Sequence, residues 1–171
     1  MLEIIPNWHP AFVHYPIAFA TAAVVFIAIG MEYKNRSWAM QCLMTGRWML
    51  WGAALFGLLA AAFGWFAYSS IEHDEVSHAA MILHRNWALG ALAALLALAS
   101  WDAWQKRSGK MPSQLFLGLL VATWLLVTST AWHGAELVYR HGLGVTASPD
   151  VHAEQDTAPH NAGEHEHEHT H

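Results

Sequence analysis

Residues 49–71 read MLWGAALFGLLAAAFGWFAYSSI, a run without one charged side chain. About 20 apolar residues are enough to carry an α-helix across the hydrocarbon core of a bilayer. Lipid offers the backbone no hydrogen-bond partner, so only helices or closed barrels can cross it. The run lacks the apolar/polar alternation of a barrel strand, and therefore reads as a helix. Three more segments share this character: Pro10 to Met31, Ala79 to Trp101 (interrupted by His84-Arg85-Asn86), and Leu115 to His133. The expected fold is all-α, an integral membrane four-helix bundle in residues 1–145, followed by a disordered His/Glu-rich tail in 146–171.

Composition agrees with this assignment. Of the 171 residues 55% are hydrophobic and only 12% charged, about half the charged share of a soluble domain. Ten tryptophans suit a membrane protein, in which the indole ring anchors at the interface. Trp8, Trp87 and Trp132 fall near one surface and Trp38, Trp48, Trp101 and Trp104 near the other, while Trp124 lies mid-span and is expected to pack. In the second span small residues recur at helix-contact spacing (Ala53, Gly57, Ala61 and Gly57, Ala60, Gly64), where they let helices approach closely.

Charge orients the bundle. Six of the eight basic residues, Lys34, Arg36, Arg47, Lys106, Arg107 and Lys110, fall in two connections, Glu32 to Arg47 and Gln105 to Ser113. The positive-inside rule makes these connections cytoplasmic and both termini periplasmic, in a bacterial inner membrane. The stretch before the first span, Met1 to Pro10, has no Lys or Arg to form the basic start of a cleavable signal, so that span is expected to persist.

The seven histidines outside the tail, His9, His14, His73, His78, His84, His133 and His141, all fall at the other end, and the two basic connections contain none. Imidazole at membrane depth is costly and marks function by default. It is also the commonest metal ligand. A site for haem or metal near one surface is one reading; amphipathic rings resting at the interface are the other. The single cysteine, Cys42, is placed in the first connection and leaves no disulfide within the chain. Without a C-x-x-C-H sequence, covalent haem attachment and Cys-rich zinc or iron–sulfur sites are excluded.

The most distinctive motif is Asn7-Trp8-His9-Pro10-Ala11-Phe12-Val13-His14-Tyr15-Pro16-Ile17. Pro10 suits the first turn of a helix, and Pro16 is expected to kink the helix or delay its start. This opening, with the closing stretch Glu136-Leu137-Val138-Tyr139-Arg140-His141-Gly142-Leu143-Gly144-Val145 and with His84 and Asn86 at the start of the third span, resembles the domain-of-unknown-function 2231 family of bacterial membrane proteins. The resemblance covers about Pro6 to Val145. It implies a small four-helix membrane domain and a link to electron transport, and departs from the family pattern at His133, where a small residue is expected.

A b-type haem in a helical bundle takes two axial imidazoles from facing helices. His14 and His84 are the first candidates, each about one turn inside its span, with Arg85 placed to pair with a propionate. His133 and His141 lie within about a quarter-turn of one another if the last helix continues between them, and either supply a second haem or one of them replaces His84 as partner. The expected function is membrane electron transfer through haem b, exchanging electrons with quinol and with a periplasmic carrier or larger respiratory complex. The alternative is a divalent-metal accessory protein binding Zn or Cu. It would use His14, His84, His133 and His141 together with His165, His167 and His169 of the alternating His/Glu tail. His73 and His78 are expected to be solvated. Ser69, Ser70, Ser77 and Ser129 lack any nucleophile motif, there is no H-E-x-x-H or phosphate loop, and topology accounts for the basic connections without nucleic acid.

Overall fold

The computed structural model describes residues 8–70, 75–108 and 111–142. Its helices are α1 (His9–Phe12), α2 (His14–Glu32), α3 (Ala39–Ser70), α4 (Glu75–Arg107) and α5 (Gln114–His141). Helices α1 and α2 form one span, interrupted only at Val13, whose backbone stays in the right-handed region at φ −64° and ψ −24°. Pro16 has no N–H to return to the carbonyl of Phe12 four residues back, which accounts for the interruption just upstream of it. All four spans are long and apolar enough to cross a membrane.

The helices run longer than the apolar segments that announce them. Hydropathy marks the thickness of the hydrocarbon core, whereas a helix continues into the headgroup layer as long as its backbone can bond to itself. Helix α3 therefore begins at Ala39 and takes in Cys42 and Arg47, both assigned from the sequence to a connection. Helix α5 continues past His133 to His141 and ends at Gly142. There the backbone turns left-handed (φ 62°), and the N–H bonds back to the carbonyls of Leu137 and Val138. At the opposite end the Ser113 hydroxyl accepts the Phe116 N–H at 3.1 Å, capping the helix start.

Around the bundle α2 packs on α3, α3 on α4, α4 on α5, and α5 closes the ring against α2; among the described residues the backbones of the diagonal pairs do not come into contact. The core is a stripe of apolar side chains along each helix, including Ala20, Ile27, Leu50, Leu95, Phe116 and Leu120. At the basic end α2 and α3 approach most closely, with Gly46 lying against Ile27 and Gly30 against Leu43. Trp124 packs as expected, its indole N–H donating to Thr21 Oγ1 across the α5–α2 seam at 2.9 Å. Trp8, Trp38, Trp48, Trp104 and Trp132 are exposed at the bundle ends, the interfacial placement expected of indole.

Candidate functional site

Two imidazoles meet across the diagonal at the histidine end. The rings of His9 (α1) and His84 (α4) stand edge to face, 6.4 Å between centroids and 79° between planes. Each is fixed from behind by a backbone carbonyl on the neighbouring helix. His9 Nδ1 bonds to the Ala60 carbonyl of α3 at 2.8 Å, and His84 Nδ1 to the Thr130 carbonyl of α5 at 3.1 Å. A carbonyl can only accept, so both Nδ1 atoms carry the proton and both lone pairs sit on Nε2.

Two glycines allow the rings to lie against helix backbone. A Cβ at Gly64 would come within 3.0 Å of the His9 ring, and one at Gly134 within 3.1 Å of the His84 ring. Both rings line a cleft of about 380 Å³ to which all four spans contribute, with Ala88, Leu92, Leu95 and Val127 among its walls. Cofactor pockets fall within about 300–1,000 Å³ and are mostly apolar with a few placed polar groups. This cavity has that character.

Of the residues singled out by sequence, His84 is in the pair and His14 is on the cavity wall, although its side chain is exposed. The partner of His84 is His9 rather than the expected His14; His9 belongs to the same cluster of histidines in the sequence. Arg85 lies off the cavity wall, its guanidinium 5.4 Å from the centre of the Tyr68 ring, a cation–π contact. His133 also lies off it, against Trp87 at 5.5 Å and 3.7 Å from the Glu136 carboxylate, which in turn pairs with Arg140 at 2.9 Å. His78 packs near Tyr68. His141 is the last residue of α5; its side chain, His73 and the tail residues His165, His167 and His169 lie outside the described residues. Among the described residues no three His, Cys, Asp or Glu side chains gather into a metal-sized group.

A polar cluster that no sequence motif signals lies at the basic end. Arg47 Nε and Asp102 Oδ1 are 2.9 Å apart, with Asp102 only 2% exposed. The Trp51 indole donates to Asp102 Oδ2 at 3.4 Å.

A family model of predicted membrane proteins, DUF2231, matches residues 6–147, which takes in all four spans and both members of the histidine pair. The chain belongs to the DUF2231 family. No curated protein and no solved structure matches it. The family description gives DUF2231 a membrane location and no activity, so what this member does rests on the chemistry of its site.

Proposed function

We propose that this DUF2231 protein holds a b-type haem between His9 and His84 and serves in membrane electron transfer. The supporting observation is the pair itself. Two imidazoles that ligate one metal from opposite sides, at metal–nitrogen distances of about 2 Å, have ring centroids roughly 6 Å apart. His9 and His84 stand at 6.4 Å. Their Nδ1 protons are engaged by carbonyls, the arrangement that fixes the tautomer and ring orientation of metal-binding histidines.

The donor set favours haem over a bare ion. A closed zinc site takes four protein ligands, and no third ligand joins the pair among the described residues. A porphyrin brings its own in-plane nitrogens and asks the protein only for axial imidazoles. Bound there, haem supplies one-electron redox chemistry. The chain contributes the two rings, the carbonyls that orient them and a mostly apolar wall.

The excess of Lys and Arg in the two basic connections supports a histidine end at the periplasmic face of a bacterial inner membrane. A redox group at that depth is placed to exchange electrons with quinol in the bilayer and with a periplasmic carrier or larger respiratory complex. The test is a reduced-minus-oxidised absorption spectrum of the purified full chain after expression with sufficient haem. A b-type signal at near one haem per chain is expected. No such signal, with Zn or Cu retained by residues 146–171 instead, would overturn the reading in favour of a metal-accessory role.

A further inference from the structure

The first hairpin (α1, α2 and α3) and the second (α4 and α5) repeat one another in register. In α2 the buried positions are Pro16, Ala20, Ala23, Ile27 and Gly30. At one constant offset along the chain stand Ala91, Leu95, Leu98, Asp102 and Gln105, all buried in α4. The same offset carries His9 onto His84. The second helices behave alike: Gly46, Leu50 and Ala53 of α3 correspond to Phe116, Leu120 and Thr123 of α5, again all buried. That second offset carries Ala60 onto Thr130 and Gly64 onto Gly134.

A heptad-like spacing of buried positions is common to helical bundles and by itself says little. It does not require the histidine, its carbonyl acceptor and the glycine under its ring to fall on matching positions of both hairpins. They do. In the closed ring the corresponding helices are the diagonal ones, as an approximate two-fold axis through the bundle would place them, with the cavity and the two rings where that axis passes.

We infer that each hairpin carries one complete half-site, a histidine with a carbonyl acceptor and a glycine four residues beyond it, and that the two half-sites are equivalent. Gly64 and Gly134 are then paired positioning residues: each sets how far its ring stands from the helix behind it. The equivalence stands on the ligand-free architecture, and its consequence for cofactor binding rests on the haem reading above. A haem held by both half-sites would be gripped alike from both sides, with His9 and His84 contributing equally.

The test uses the full chain with selectively ¹⁵N-labelled histidine, first without cofactor. His9 and His84 should both show a protonated Nδ1 and an unprotonated Nε2, whatever the substituted chains do. Gly64→Ala should move the His9 signals and leave those of His84, with Gly134→Ala doing the converse. Titrated with haemin, each glycine variant should lose affinity by a similar factor, about 10-fold or more, as for other groups that orient a ligating histidine. A His84 or His9 ring protonated on Nε2 in the unsubstituted chain would overturn the equivalence. So would a Gly134→Ala chain that keeps full affinity while Gly64→Ala loses it. Paired ¹⁵N behaviour without any b-type spectrum would support the two half-sites and remove the haem reading alone.

Discussion

The two ends of the bundle handle polar side chains in opposite ways. At the basic end Arg47 is ion-paired with Asp102 in a packed interior, and the Trp51 indole N–H donates to the same carboxylate. At the histidine end His9 and His84 are held by carbonyls and face an apolar cavity. A buried charge that is matched and enclosed stitches helices together. A polar ring held in one orientation beside open volume is arranged to meet something else. The contrast follows the two hairpins as well: Asp102 occupies the register position that Ile27 holds in the first hairpin, and Phe116 that of Gly46. The halves diverge at the basic end, where packing and charge matter, and agree at the histidine end, where the half-sites lie.

Substitutions can break this contrast. The largest effect is expected at the pair: if His9 and His84 hold the proposed haem, His84→Ala should abolish bound haem, measured as haem per polypeptide, while leaving the bundle folded. At the other end, Asp102→Ala leaves the Arg47 guanidinium without its carboxylate. It should cost about 3–5 kcal/mol of stability in a denaturation titration yet preserve the haem spectrum. Loss of haem with unchanged stability in that variant would mean that the two ends are not distinct in role. Ser113→Ala removes the cap of α5 and should cost about 1 kcal/mol, again without spectral change. The smallest effect is expected from His133→Ala and from deletion of residues 146–171. Both should leave haem content unchanged, because His133 pairs with Glu136 and Trp87 away from the cavity.

Much of this was legible in the sequence. Four apolar runs specify four spans, and the clustering of histidines at one end marks where to look. Helix ends were less legible, since hydropathy stops reporting where the hydrocarbon stops; hence Cys42 and Arg47 belong to α3. Within the N-terminal motif, depth among apolar residues points to His14. Helix phase was the better guide. His9 lies seven residues before Pro16 and His84 seven before Ala91, so both fall on the buried stripe that continues through Ala20 and Leu95. His14 lies off that stripe and is exposed. The pairing of Arg47 with Asp102 depends on which faces of α3 and α4 meet. Local sequence does not encode that.

The most direct test compares bound haem per polypeptide in His9→Ala and His14→Ala chains, purified alongside the unsubstituted protein. With His9 and His84 as the axial pair, His9→Ala should lose its b-type spectrum while His14→Ala keeps near-full occupancy. Retention by His9→Ala with loss in His14→Ala would contradict the pairing on which the account stands.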